Sequence, residues 1–183
     1  ERAAELLSEL PEHITVVISP GNHDAVRMAE PQPPIPEEIA KPLHDMGCVL
    51  VGNPSLLEIE GVRILMYHGR SFDDLSSEVN VQNPCELMKL LLKKRHLAPV
   101  YGGKTAVAPY TEDYMVIEEI PDVFHCGHLH VAGMERYKGV WLLCSGPFQG
   151  KTSYMRKRGI EPTPGIVPVL NLKTGELLRL HLA

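Results

Sequence analysis

The sequence predicts an α/β fold in which a layered, mixed β-sheet sandwich is flanked by helices. Short β-branched runs alternate with amphipathic stretches in the first half of the chain, whereas pairs of apolar runs joined at glycine-containing turns dominate the second half. Alternation favours parallel strands and tight turns favour antiparallel ones, so we expect a mixed sheet. Since no repeat or low-complexity linker interrupts the 183 residues, we expect a single domain over residues 1–183.

The composition excludes several classes of protein. A net charge of −5 argues against a surface that is basic all over, although a local basic patch stays open. No apolar run reaches about 18 residues, so we expect no membrane span. The four cysteines lack CxxC spacing and lie in apolar contexts, which favours reduced thiols in a cytoplasmic protein. The charged start is unlike a signal peptide, and its lack of Met suggests the C-terminal portion of a larger catalytic domain.

Four elements are predicted before residue 55. The apolar spacing in residues 1–10 predicts a helix. The β-branched run "HITVVISP" predicts a buried central strand, and "CVLVGNP" predicts a second buried strand. Between them, "EEIAKPLHDMG" predicts a helix that Pro42 makes short or kinked.

The middle of the chain predicts a hairpin and two helices. "SLLEIEGVRILMYHG" contains two apolar runs around Glu60-Gly61, which indicates a hairpin. "SFDDLSSEVN" predicts a helix with Ser71 as its N-cap. "NPCELMKLLLKKRH" is the clearest helix, because Asn83 can cap it, a proline follows directly and basic residues fill its last turn.

The last third predicts strands, hairpins and a long loop. "DVFHCGHLHVAG" is typical of a strand that runs into a loop. Two hairpins are expected around Lys138-Gly139 and Thr174-Gly175. Between them, "FQGKTSYMRKRGIEPTPG" is expected to be a loop.

Histidine-bearing loops follow three of the apolar runs. These loops lie at residues 22–24, 68–69 and 127–130. Loops at the carboxyl ends of strands in an α/β sheet gather at one edge, and imidazole and amide groups there suit a first-row divalent metal. One histidine after a strand is more often a hydrogen-bonded or surface residue. Three such loops together favour a metal site, and the HxH pair is expected to point both rings to one side of an extended segment.

The same loops carry a resemblance to a known superfamily. "GNHD" at 21–24, "HG" at 68–69 and "GHLH" at 127–130 resemble three motifs of the calcineurin-like metallophosphoesterases, in the right order. The longer stretches "GNHDAVRMAEPQP", "YHGRSFDD", "GHLHVAGMERYKGV", "SGPFQGKTSYM" and "PTPGIVPVLNL" are similar to the small subunits of archaeal family-D DNA polymerases. The resemblance covers nearly the whole chain from about residue 14 onward.

The resemblance implies a metal-dependent 3′-to-5′ exonuclease that acts on DNA beside a large polymerase subunit. It implies two divalent ions, of Mn, Fe, Zn or Ni, in the parent protein. The expected ligands are Asn22, His68 and His128 for one ion and His130 for the other. His23 matches the catalytic imidazole, and Asp24 is expected to orient its ring.

Two motifs of the superfamily are missing from this sequence. D-x-H and G-D-x-x-D belong before "GNHD", yet the acids that precede Pro20 are glutamates only, at positions 1, 5, 9 and 12. These motifs would supply the remaining carboxylate ligands. We therefore expect this chain by itself to hold at most one weakly bound ion and to be inactive or nearly so.

Several assignments stay open at the level of sequence. Candidate substrate contacts are Arg70, Lys151, Tyr154 and Arg156; a loop salt bridge for Arg70 and a solvated basic loop at 150–159 are equally good interpretations. Asp73 and Asp74 are expected to cap a helix. Two alternative functions also stay open, a metallophosphoesterase acting on small molecules or phosphoproteins and a non-catalytic scaffold that docks the large subunit.

Overall fold

Helices and strands alternate along residues 2–182, the part of the chain that this computed structural model describes, apart from the side chains of residues 154 and 158. The helices are α1 (Arg2–Leu7), α2 (Glu37–Asp45), α3 (Phe72–Val79), α4 (Pro84–Lys94) and α5 (Ser153–Arg158). The strands are β1 (Val17–Ile18), β2 (Val49–Leu50), β3 (Ser55–Ile59), β4 (Val62–Tyr67), β5 (Val123–Cys126), β6 (Gly133–Tyr137), β7 (Val140–Cys144), β8 (Ile166–Leu170) and β9 (Leu177–His181).

The central sheet has five strands in the order β3-β4-β5-β7-β6. The inner strands β4, β5 and β7 are parallel, and the outer strands pair antiparallel with their neighbours. This arrangement confirms the mixed α/β fold. Because the three inner strands run the same way, the loops that follow them open at one edge of the sheet.

The main core lies where helices α3 and α4 cover the central sheet. Its fully buried side chains include Phe72, Leu87, Met88, Phe124 and Leu142. Each such side chain stabilises the fold by about 1.5–3 kcal/mol through the apolar surface it removes from water. Helix α4 begins as expected, because Asn83 Oδ1 accepts from the backbone N–H groups of residues 85 and 86 at 2.9 and 3.2 Å.

The predicted hairpins around residues 60 and 138 are present with their expected turns. Glu60 and Gly61 have φ values of 52° and 76°, and Lys138 and Gly139 have 47° and 89°. Two consecutive left-handed residues make the turn whose twist matches a two-strand ribbon. The C-terminal hairpin β8-β9 is also present.

The first predicted strand differs most from its expectation. β1 contains two half-buried residues and pairs in parallel with β2 alone, so it does not lie in the central sheet. The apolar run indicates only that this segment is shielded from water. The strand with which the segment pairs depends on residues far along the chain. The central position predicted for it was therefore wrong.

The loop predicted over residues 148–165 was also wrong in part. Helix α5 begins after Thr152, whose hydroxyl accepts from the backbone of Met155 at 3.2 Å, and ends at Gly159 with a φ of 68°. Threonine before a helix and glycine after it are ordinary caps, so the sequence did contain the signal.

The remaining expectations have mixed outcomes. Ser71 precedes α3 without capping it, because its hydroxyl donates to Leu97 O instead. All four cysteines are free and buried, as expected. Within residues 2–182, each helix is too short or too polar to span a lipid bilayer.

Candidate metal centre

The three histidine loops meet in one cleft at the carboxyl edge of the parallel strands. Its volume is ≈990 Å³, and β1 delivers its own loop to the same place although it lies outside the central sheet. Residues that line the cleft include Asn22, His23, His68, Arg70, Asp73, His128 and His130. The expectation that the loops converge is therefore met by the geometry.

Three donor atoms face one another in this cleft. Asn22 Oδ1 lies 2.7 Å from His68 Nε2, and His128 Nδ1 lies 3.2 Å from the same nitrogen. The two rings pack edge to face with centroids 5.0 Å apart. Ligand atoms that share one ion at about 2.1 Å lie roughly 3 Å apart, so this spacing fits a single divalent ion. We call Asn22, His68 and His128 the donor triad.

Asp73 determines which nitrogen of His128 faces the triad. Asp73 Oδ1 lies 3.3 Å from His128 Nε2, and a carboxylate there favours a hydrogen on Nε2, which would direct the lone pair of Nδ1 towards His68. The bond from His128 lowers the pKa of Asp73, and Arg70 Nη1 lies 3.4 Å from its other oxygen. Asp73 therefore orients a histidine rather than capping α3, which the sequence did not show.

Asp74, the next residue, performs a different task. It is buried, and its oxygens accept from the backbone N–H groups of Lys104 and Thr105 at 2.7 and 2.9 Å. Desolvation opposes its ionisation, but these bonds and that of the Thr105 hydroxyl lower the pKa of Asp74. Its predicted capping role is replaced by the anchoring of a loop.

Burial keeps the ring of His68 neutral. Desolvation, reinforced by the charge of His128, lowers the pKa of His68 to about 4. At neutral pH the ring is therefore uncharged, and binding an ion through Nε2 would replace the hydrogen that this nitrogen directs to Asn22 Oδ1. Gly21 lets this ring pack against the first loop, since a Cβ at that position would lie 2.9 Å from His68 Cε1.

His130 lies beside the triad without a comparable partner. Its Nδ1 is buried and has no hydrogen-bond partner among residues 2–182, and desolvation lowers the pKa of His130. Across the same residues, no three His, Cys, Asp or Glu side chains are arranged to hold an ion. The donor triad does not meet this criterion, because it contains two imidazoles and the amide of Asn22. The donors present thus fit one ion and supply a single candidate ligand for a second.

The "GHLH" segment is a turn and not the extended strand expected from its HxH spacing. His128 and His130 have φ values of 65° and 60°, left-handed conformations that cost about 1–3 kcal/mol each for residues other than glycine. The backbone N–H of Leu129 donates to Gly127 O at 2.8 Å and closes this turn. Strain in two neighbouring site histidines is typical of functional segments.

Of the two remaining predicted site residues, His23 lies in the cleft and Asp24 does not make its expected contact. His23 is exposed and lines the cleft. Asp24 Oδ2 accepts from the backbone of Gly21 at 2.7 Å and closes that loop, and no bond to His23 occurs among the described residues, contrary to the expected orienting contact.

Of the candidate substrate contacts, Arg70 lines the cleft. Lys151 and Arg156 are exposed at α5, where Lys151 pairs with Glu161. The side chain of Tyr154 lies outside the described part of the chain. His125 is partly buried and its Nε2 lies 2.7 Å from Ser145 Oγ, which agrees with a packed histidine.

The family follows from comparison with known proteins. A family model for the B subunit of DNA polymerases alpha and epsilon matches residues 1–132. The chain belongs to this family. Two relatives named DNA polymerase II small subunit are 49% identical over 94% of this chain in Methanocaldococcus jannaschii and 47% identical over 99% in Archaeoglobus fulgidus. The chain spans 30% and 37% of those relatives, about a third of their length.

A solved structure shows the fold of this member of the polymerase B-subunit family independently. An archaeal phosphodiesterase matches 99% of this chain and 76% of its own with a TM-score of 0.54 and 14% sequence identity. At that identity the likeness concerns the fold alone. It confirms the phosphoesterase-like fold class expected from the sequence.

Proposed function

We propose that this chain is part of a DNA polymerase small subunit with metal-dependent phosphodiesterase activity, a 3′-to-5′ exonuclease on DNA. The observation that carries the proposal is the close approach of two atoms to His68 Nε2, Asn22 Oδ1 at 2.7 Å and His128 Nδ1 at 3.2 Å. The names of its relatives support the polymerase context.

The donor triad would hold one divalent ion, and His130 would contribute to a second in the longer parent protein. Divalent ions of the first row, such as Mn, Fe, Zn or Ni, suit imidazole ligands and, when bound, polarise a phosphate and activate water. Asp73 keeps His128 in the tautomer that such binding needs. In the chain alone we propose at most one weakly held ion.

His23 would supply the proton for the leaving group. It is exposed at the cleft, so it can reach a bound phosphodiester and donate to the departing 3′-oxygen. Asp24 would orient His23 through the backbone, because the hydrogen bond that closes the Gly21–Asp24 turn fixes the direction of the residues between them. One nucleotide would be released in each cycle.

The same proposal includes partners and location. A small subunit implies a large catalytic subunit in a hetero-oligomer, and a polymerase implies DNA as the other partner; we place both in the cytoplasm. Arg70 lines the cleft and would contact a phosphate. Lys151, Tyr154 and Arg156 would contact the strand beyond it.

The test is His23→Ala in the full-length protein with Mn²⁺. We expect exonuclease turnover to fall by about 10²–10⁴-fold, because a general acid contributes that much, while the metal content stays near normal. His181→Ala, in an exposed position on β9, is the control and should keep turnover. Unchanged turnover in the His23 variant would remove it from the mechanism.

One observation favours a second function, a non-catalytic scaffold for the large subunit. Among residues 2–182, no three His, Cys, Asp or Glu side chains are arranged to hold an ion, so these residues by themselves present no complete metal site. A full-length protein that holds the large subunit normally yet cleaves neither DNA nor small phosphodiesters would support the scaffold. Cleavage of small phosphodiesters alone would instead support a general phosphoesterase.

A further inference from the structure

A network of buried polar side chains lies beneath the donor triad. Glu30, Gln32, Asn53 and Tyr67 are 1%, 4%, 0% and 2% exposed. They come from the "AEPQP" and "GNP" loops and from the end of β4. Polar groups this deep destabilise a fold unless they are paired, so the pairs they make show what the network holds.

Asn53 bonds directly to the loop that carries one ligand. Its Oδ1 accepts from the backbone N–H of His68 at 2.7 Å. Its Nδ2 donates to Gln32 Oε1 at 2.7 Å and to Glu30 Oε1 at 3.2 Å. The oxygen and the nitrogen of the Asn53 amide are therefore both hydrogen-bonded.

Gln32 carries the connection on to the other ligand loop. Its Nε2 donates to Arg27 O at 3.0 Å and lies 3.5 Å from Gly21 O. Residues 21 and 27 flank Asn22 in the chain. The path from His68 through Asn53 and Gln32 thus joins the two loops whose donor atoms are 2.7 Å apart.

Glu30 provides a second arm to the His68 loop. Its Oε2 accepts from the hydroxyl of Tyr67 at 2.8 Å, and that hydroxyl oxygen accepts from the backbone N–H of Ser71 at 3.1 Å. Residues 67–71 are therefore held on both sides of His68. An apolar core could fill this space but could not satisfy these backbone groups, each of which costs about 1–3 kcal/mol when left unpaired.

We infer that Asn53 is a positioning residue that locks the Asn22 loop and the His68 loop together, so that their donor atoms converge. The positioning role is inferred from hydrogen bonds within the chain. Its purpose, metal binding, rests on the proposed function. A purely structural role for Asn53 would change stability alone, whereas positioning changes the triad as well.

Two substitutions separate the connections. Asn53→Asp keeps the acceptor for His68 and removes both N–H donors, which disconnects Gln32 and sets a carboxylate against Glu30. Asn53→Leu removes every link at similar volume. Thr105→Val is the control, because it deletes one buried hydroxyl bonded to Asp74 at 2.7 Å and touches neither ligand loop.

Cobalt(II) titration of the 183-residue chain and of the full-length protein, followed by the visible spectrum, measures the triad. We expect both Asn53 variants to weaken Co²⁺ binding by at least about tenfold, as loss of supporting groups does. The Thr105 control should change it less than about twofold even where its melting temperature falls. Glu30→Gln added to Asn53→Asp returns a donor across from the new carboxylate and should restore part of the affinity.

Backbone exchange and ring NMR test the positioning without metal. In Asn53→Leu the amide of His68 should exchange at least about tenfold faster than in the wild type, whereas its neighbours in β4 should change less, and the ring signals of His68 and His128 should shift. Gln32→Met, a milder variant, should shift the ring signals with less unfolding.

The outcomes are distinct. Wild-type exchange, ring signals and Co²⁺ affinity in the Asn53 variants would overturn the inference. A wild-type protein that binds no Co²⁺ would refute the proposed metal function, and the amide and ring signals would then decide the positioning alone, since changed signals support it and unchanged signals overturn it.

Discussion

His128 and His130 stand two residues apart in one turn, and they differ in what surrounds their ring nitrogens. Both have left-handed backbones and both line the cleft. His128 has Asp73 at 3.3 Å on one nitrogen and His68 at 3.2 Å on the other. His130 has a buried Nδ1 without a partner among residues 2–182.

The difference shows that the two halves of the cleft are completed by different means. The half around His128 is built from the chain's own loops and is held by Asp73 and Asn53. The half around His130 has a nitrogen whose burial costs about 1–3 kcal/mol unless something outside these residues bonds to it.

The sharpest test removes one ring at a time. His128→Ala should weaken Co²⁺ binding to this chain by about 100-fold, because it would remove one of the three proposed ligands in the donor triad. His130→Ala should change it by less than about threefold. Isothermal titration calorimetry measures both affinities, and equal losses would show that the two halves are not different.

A second test concerns the carboxyl that supports the His68 half. Burial raises the pKa of Glu30 to about 7 from 4.5, with opposing contributions from the hydrogen bonds of Tyr67 and Asn53. The folded state therefore binds this proton more tightly than the unfolded state. The contribution of Glu30 to stability is fully present below pH 4.5 and is lost as pH rises to about 7, by about 3 kcal/mol at most.

His68 produces the opposite slope, since its folded pKa of about 4 makes stability rise with pH until the ring is neutral in both states. The measurement is therefore a difference: urea unfolding of the wild type minus that of Glu30→Gln from about pH 4.5 to about pH 7.5. This difference should fall with pH, and Glu12→Gln, an exposed control, should give a flat one. A flat difference for Glu30→Gln would mean that Glu30 titrates normally.

The smallest effect comes from the residue that orients His128. Asp73→Asn should weaken Co²⁺ binding by about 10–100-fold, because the tautomer of His128 is no longer fixed. Asp113→Asn is the matched control, since it breaks a histidine–carboxylate pair of 2.9 Å with His96 outside the cleft. Loss of affinity in both variants would point to general destabilisation.

Local features of this fold could be predicted, and features set by distant contacts could not. Glu60-Gly61 and Lys138-Gly139 specify their turns because two adjacent residues determine the backbone there. The position of β1 was predicted wrongly because its partner, β2, lies far along the chain, at residues 49–50. The apolar run itself contains no information about that partner.

The same distinction applies to the candidate site. Asn22, His68 and His128 could be grouped because each follows an apolar run in a motif. Asp73 was expected to cap a helix, and nothing in the sequence singled out Asn53. Their roles depend on partners that are distant in the chain, at His128 and His68.

The parallel ladder between β4 and β5 continues beyond the strands, because the backbone of Gly127 donates to His68 O at 3.0 Å. The histidine loops that follow β4 and β5 are therefore joined by the last hydrogen bond of this ladder, and separating them would disrupt the end of the sheet. Ion binding would then be linked to unfolding of the whole sheet: each tenfold rise in ion concentration above the dissociation constant should raise the free energy of unfolding by about 1.4 kcal/mol. The melting temperature, followed by a signal far from the cleft, would therefore report the concentration of the ion.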